Sequence, residues 1–153
     1  MVREEVTVTM TASTDAIWSL VSDITRVGEF SPETFEAEWL NGATGPAVGA
    51  RFRGHVRRNE VGPVYWTPCT VLKCQPGELF EFGVGSADSP LTRWGYRLET
   101  RPDGNGVDVT ETFELSSALW MRPYWILLGA LRGRRVRNDM RRTLERMKAV
   151  VEG

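Results

Sequence analysis

The hydrophobic pattern at the start of the chain has the period of a β-strand. Val6, Val8 and Met10 alternate with threonines, which is typical of a strand with one buried face. After Ser13, a residue type that caps helices, the apolar spacing over residues 14–25 becomes helical. The sequence therefore predicts a strand followed by a short amphipathic helix.

A second short helix is expected after Gly28. Ser31 would cap it, and Pro32 would occupy the first helical position, where proline is well tolerated. A short strand is then expected around residues 37–40, followed by a glycine-rich loop.

Residues 50–116 alternate between apolar and polar positions, interrupted by Gly-Pro, Pro-Gly and Asp-Gly turn sequences. Strands joined in succession by short turns form an antiparallel meander with one face toward solvent. The positions that share the inward parity form a strongly aromatic wall: Phe52, Gly54, Val56, Phe80, Phe82, Val84, Trp94, Tyr96, Leu98, Val107, Val109 and Phe113.

The C-terminal segment has the spacing of one long helix, predicted over residues 123–151. Its inward stripe consists of Gly129, Gly133, Val136, Met140, Leu144, Met147 and Val151. A helix of about 28 residues is roughly 42 Å long and fits only by lying across the sheet. We predict a single α+β domain over residues 1–153. Its curved antiparallel sheet of about six or seven strands surrounds this helix, with two short helices between strands 1 and 2.

The helix stripe carries two glycines, Gly129 and Gly133, although glycine costs about 1 kcal/mol of helix propensity relative to alanine. They indicate either close packing against a bulky aromatic side chain or space for a ligand. A mainly apolar pocket with a few polar groups is typical of small-molecule sites. The expected ligand-binding residues are Phe52, Phe80, Phe82, Trp94, Tyr96, Glu111, Gly129, Gly133 and Met140.

Glu111 breaks the apolar pattern of the inward face, because it shares the parity of Val109 and Phe113. A carboxylate that faces an apolar wall is costly unless it is paired or protonated. A bulge that redirects it, a salt bridge to an arginine, and a polar anchor or acid/base group for a ligand are all compatible with the sequence. Trp94 and Tyr96 are its natural companions, since each combines an apolar body with one hydrogen-bonding group. Glu111 and Tyr96 are therefore the candidate catalytic residues.

Most other catalytic chemistries lack the residues they need. The single histidine, His55, has the outward parity of Arg53, and a zinc site or a histidine-dependent triad would require further partners. Arg53 itself could guide proton transfer only if it departed from this parity. Cys69 and Cys74 lack additional metal ligands, and a reduced compartment is the simpler interpretation of the pair. No cofactor or metal is expected.

Charge and hydropathy bear on partners and location. The net charge is −1, but residues 122–153 hold nine Lys/Arg against three acids, so the remainder carries −7. A pI near 5.9 argues against nucleic acid as the partner of this basic helix. No run of about 18 apolar residues predicts a membrane span, and the chain is expected to be cytoplasmic, as a monomer or homodimer. The aromatic segment 120–128 could be a core plug, a cavity portal, a dimer contact or an edge in transient contact with a membrane.

Several stretches resemble the SRPBCC family of polyketide cyclases/dehydrases and lipid-transport proteins. They are IWSLVSD (17–23), GEFSPE (28–33), GPAVGARFRG (45–54), PGELF (76–80), WGY (94–96) and TLER (143–146). With 17 Arg against two Lys, the chain is most similar to actinobacterial members. The resemblance implies the START-like helix-grip fold, shared with birch pollen allergens, with a hydrophobic cavity between the sheet and the long helix. The residues of known cyclases cannot be matched one by one onto this chain.

Three functions are compatible with these observations. The first is binding of a small hydrophobic molecule, lipid- or polyketide-like, in the internal cavity. The second is a cyclase, aromatase or dehydratase reaction in the same cavity. The third is a regulatory or toxin-like role that uses the basic helix face and no small ligand.

Overall fold

The computed structural model describes residues 2–57, 62–115 and 122–153, and the side chains of the long helix from residue 135 onward. Seven strands and two α-helices follow in the order β1 (Val2–Met10), α1 (Thr14–Val21), β2 (Thr34–Trp39), β3 (Arg51–Arg57), β4 (Val64–Gln75), β5 (Leu79–Gly85), β6 (Pro90–Thr100), β7 (Val107–Leu115) and α2 (Arg122–Glu152). A short 3₁₀-helix (Ile24–Glu29) lies between α1 and β2.

The strands form one seven-stranded sheet in the order β1-β7-β6-β5-β4-β3-β2. Every neighbouring pair is antiparallel, as the meander pattern predicts. The alternation is clearest at β1, where Val6 and Val8 point into the core. On the opposite face of β1, the Thr7 hydroxyl lies 2.8 Å from that of Thr110, and Thr9 donates to Asp108 at 2.6 Å.

The prediction for the segment after α1 is partly wrong. The second short helix is the 3₁₀-helix, whereas Ser31 and Pro32 lead directly into β2, which begins at Thr34 instead of residue 37. Ser31 Oγ does accept a hydrogen bond from the N–H of Thr34 at 3.0 Å, as a helix cap would. The backbone of Thr34 is already paired with Val56 of β3, however. The hydrogen bond to Ser31 therefore precedes a strand and not a helix.

The prediction of one long C-terminal helix is confirmed by α2, which packs mainly against β1. Among its described side chains, those of Met140, Leu144 and Met147 are the most deeply buried. Toward its C-terminal end the core is fully closed by Met10, Ile17, Leu20, Leu98, Val107 and Val109. Among the described residues, no helix is long and apolar enough to cross a membrane.

Candidate functional site

A cavity of about 420 Å³ lies between the sheet, the 3₁₀-helix and α2. Strands β3 to β7 supply its wall, and Val136, Met140 and Thr143 of α2 close it from the other side. It therefore occupies the part of the sheet–helix interface that the closed core leaves free. A volume of this size accommodates a small organic molecule.

The aromatic wall of the cavity consists of residues that strand alternation predicts to face inward. Phe52, Phe80, Phe82, Trp94 and Tyr96 all line it. Phe52 and Phe82 meet edge to face with ring centroids 5.3 Å apart. These contacts hold the rings in place around a common space.

Not every residue of the predicted wall reaches the cavity. Leu98, Val107 and Val109 are buried, but they belong to the closed core and do not line the space. All three belong to the same buried core as Leu144 and Met147 of α2.

Met140 lines the cavity, as predicted from the helix stripe. The surroundings of Gly129 and Gly133 lie outside the described part of the structure, and so do the side chains of the segment 120–128. Their predicted contributions to the site stay predictions.

Several lining residues were missed by the sequence analysis. The 3₁₀-helix and its C-cap contribute Ile24, Val27 and Phe30, and the ring of Phe30 meets that of Tyr96 edge to face at 6.4 Å. No periodic signal marks so short an element. Strand β4 contributes Tyr65, Thr67 and Cys69, which strand alternation alone could have identified.

Glu111 is the most deeply buried charged residue among those described, with 2% of its surface exposed. It lies on β7 between Val6 of β1 and Tyr96 of β6, and it lines the cavity. Its Oε2 has no hydrogen-bond partner among the residues that the structure describes. The inward orientation predicted from strand parity is confirmed, and neither a bulge nor a described arginine relieves it.

The electrostatic surroundings favour the neutral form of this carboxyl group. Burial raises the pKa of Glu111 well above its usual value, and the negative charge of Asp139 on α2 raises it further. The neighbouring phenol of Tyr96 lowers this pKa, but by less than burial raises it. Burial, followed by the proximity of Glu111, raises the pKa of the Tyr96 phenol well above its usual value. Both groups thus resist ionisation and are suited to donate hydrogen bonds.

Arg53 and His55 lie on the outer face of the sheet, as their parity predicts. The guanidinium of Arg53 stacks over the ring of Trp66 at 4.1 Å and pairs with Glu38. His55 stacks on the same indole at 4.2 Å, and its Nδ1 lies 2.7 Å from a carboxylate oxygen of Glu36. Neither residue lines the cavity, so Arg53 does not assist Glu111.

The two cysteines are free, and Cys69 faces the cavity. A bulge in β4 shifts the register, so that Cys69 lies opposite Val84 and Cys74 lies opposite Phe80. Burial raises the pKa of the Cys69 thiol to about 12. Because the thiolate is the reactive form, Cys69 is a poor nucleophile.

A metal site would require several ligating side chains close together. Within residues 2–57, 62–115 and 122–153, no three His, Cys, Asp or Glu side chains are grouped so as to hold a metal ion. The described cavity has an aromatic wall on which the Glu111 carboxyl and the Tyr96 phenol lie side by side. Its lining also includes the charged residues Asp23, Glu33, Arg135 and Asp139.

Solved structures with the same fold cover nearly the whole chain. A protein from Chromobacterium violaceum is 15% identical with a TM-score of 0.71, and the alignment covers 99% of this chain and 98% of that one. The di-domain ARO/CYC StfQ from the steffimycin biosynthetic pathway is 13% identical with a TM-score of 0.76, over 99% of this chain and 50% of StfQ. At these identities the likeness shows the helix-grip fold alone.

A Polyketide_cyc-like protein from Corynebacterium glutamicum is 25% identical with a TM-score of 0.53, over 98% of this chain and 85% of its own. No curated protein is similar enough in sequence to count as a relative. The family described as "Polyketide cyclase / dehydrase and lipid transport" matches residues 1–152. The chain therefore belongs to the polyketide cyclase/dehydrase and lipid-transport family.

Proposed function

We propose that this protein binds a small hydrophobic molecule, lipid- or polyketide-like, in the cavity between the sheet and α2. The observation that carries the proposal is the aromatic cavity of about 420 Å³ between the sheet and α2, beside a core of buried side chains. A cavity of this size in a core that otherwise packs closely sacrifices stabilising contacts, which is expected only where the space has a use.

Binding alone requires nothing beyond this cavity. The Cys69 thiol, the described cysteine that faces it, has a pKa of about 12 and is not an activated nucleophile. Glu111 and Tyr96 favour their neutral forms, which makes them hydrogen-bond donors and poor bases. These properties support a binding or carrier role.

A second candidate is a cyclase, aromatase or dehydratase reaction in the same cavity. Its support is that Glu111 and Tyr96 lie directly opposite each other on β7 and β6, where a neutral carboxyl group could donate a proton to a bound carbonyl compound. The structural likeness to StfQ, an ARO/CYC, is consistent with this alternative. In that case Glu111 would be the general acid.

A regulatory role for the basic face of α2 has less support. Arg137 pairs with Glu4 of β1 at 3.2 Å, and Arg142 lies 3.7 Å from Asp139 on its own helix. Part of the positive charge of this face is thus neutralised within the protein.

Native mass spectrometry of protein purified from its own host tests the proposal. We expect an additional mass that persists under gentle ionisation and disappears when the same sample is denatured. Extraction and identification of that molecule would then show whether it is apolar. Protein that is consistently free of any small molecule, and that binds no hydrophobic probe afterwards, would contradict the proposal.

A further inference from the structure

We infer that the ligand is an uncharged molecule that carries a hydrogen-bond acceptor of the ketone or quinone type at the end that reaches Glu111. The carboxyl group of Glu111 donates a hydrogen bond to this acceptor. This inference rests on the proposed function and specifies the class of molecule that the cavity takes.

The geometry of Glu111 supplies the first argument. Its side chain is 98% removed from solvent, it lines the cavity, and Oε2 has no hydrogen-bond partner among the described residues. A buried polar group without a hydrogen-bond partner is costly in free energy. A ligand that forms a hydrogen bond with this group removes that cost and therefore binds more tightly. The most favourable occupant therefore places a complementary polar atom beside this carboxyl group.

The charge of the surroundings supplies the second argument. From β1 the carboxyl faces Val6, from β6 the Tyr96 phenol, and from α2 the charge that acts on it is that of Asp139. The remaining ionisable residues of the described lining are Asp23, Glu33, Arg135, the Tyr65 phenol and the Cys69 thiol. Arg135 is exposed at the surface of α2. A ligand carboxylate beside Glu111 would meet the negative charge of Asp139, and among the described residues no cation acts on Glu111.

The protonation of Glu111 decides which polar atom fits. Burial and the charge of Asp139 both raise its pKa, which favours the carboxylic acid over the carboxylate at the cavity wall. A carboxylic acid carries one O–H donor, and the neighbouring Tyr96 carries another. A carbonyl oxygen can accept from the Glu111 O–H, whereas a purely apolar ligand leaves Oε2 of Glu111 without a partner.

Three matched probes test the inference: methyl naphthyl ketone, ethylnaphthalene and naphthoate, each substituted at the same ring position. Their affinities are measured at neutral pH by quenching of tryptophan fluorescence, since Trp94 lines the cavity. We expect the ketone to bind about 5- to 10-fold more tightly than ethylnaphthalene, the effect of one net hydrogen bond. Naphthoate should bind most weakly of the three.

Variants connect the preference to the carboxyl group. Glu111→Leu should bind the ketone and ethylnaphthalene equally, while Glu111→Gln, which keeps a donor, should retain most of the preference. Glu114→Gln is the matched control, because Glu114 lies on the opposite face of β7 beside Arg3. If Glu111→Leu does not fold, the Gln variant and the three probes on the wild type still decide the question.

The outcomes are distinguishable. Naphthoate binding as tightly as the ketone, or equal affinities for the ketone and ethylnaphthalene in the wild type, would overturn the inference and leave the proposed function intact. Binding of none of the three probes, with the fold intact, would contradict both.

Discussion

Tyr96 and Glu111 are direct cross-strand partners on β6 and β7, and both side chains are buried, with 7% and 2% of their surfaces exposed. The phenol and the carboxyl lie side by side on the wall of an aromatic cavity. The pair combines two neutral donors in an apolar environment, where each interaction is stronger than in water.

The stability of the protein should depend on pH through Glu111. Its pKa is raised in the folded state, whereas in the unfolded chain it ionises near the usual value of 4.5. Above that pH the unfolded state loses a proton that the folded state keeps, so stability falls as pH rises until the folded pKa is passed. Glu111→Gln removes this cost. Its free energy of unfolding, relative to the wild type, should increase by up to about 1.4 kcal/mol per pH unit.

Urea denaturation at a series of pH values measures this difference. Below the usual glutamate pKa both states are protonated, and the pH-dependent gain should vanish. The control Glu114→Gln, on the outward face of β7, should stay within about 0.5 kcal/mol of the wild type throughout. A difference between Glu111→Gln and wild type that does not change with pH would show that Glu111 is not held neutral.

The two thiols should differ in reactivity. Cys69 is buried with a pKa of about 12, whereas Cys74 is only partly buried. A charged disulfide reagent at mildly alkaline pH should therefore react quickly with one thiol of the native protein and with the second only on unfolding. Cys74→Ser should abolish the fast reaction. A fast phase that survives in Cys74→Ser would mean that Cys69 is accessible in the native state.

The contact between the 3₁₀-helix and β2 makes Gly28 sensitive to substitution. A Cβ on Gly28 would lie 2.3 Å from the carbonyl oxygen of Phe35. Since the obstacle is backbone, Gly28→Ala should cost about 1–3 kcal/mol of stability in a thermal or urea unfolding experiment. Gly45→Ala is the matched control, because a Cβ there would meet nothing within 4 Å. Equal stability of the two variants would contradict this packing.

The sheet, the long helix and the orientation of Glu111 could be predicted because each follows from strict periodicity. In β7, Val109 and Phe113 fix the inward face, and Glu111 shares their parity whatever its chemistry. The same rule placed Arg53 and His55 outside, where they stack on Trp66.

The start of β2 and the extent of the cavity could not be predicted, because both depend on contacts between distant segments. Ser31 and Pro32 have the local chemistry of a helix start, but pairing of Thr34 with Val56 makes the segment a strand. Likewise, Leu98 and Phe52 are equivalent in the alternation, yet only Phe52 lines the cavity. Whether a residue lines the cavity depends on where α2 contacts the sheet, and the local sequence pattern does not contain that information.

The most direct test of the binding site is to fill the cavity. Val84 lines it and is only half-buried, so Val84→Phe adds its ring to open space. Val64→Phe makes the same change on the exposed outer face of β4. Titration of methyl naphthyl ketone, with folding checked by circular dichroism, should show at least about a tenfold loss of affinity in Val84→Phe, equivalent to about 1.4 kcal/mol, and no loss in Val64→Phe. A folded Val84→Phe variant that binds the ketone as tightly as the wild type would contradict binding in this cavity.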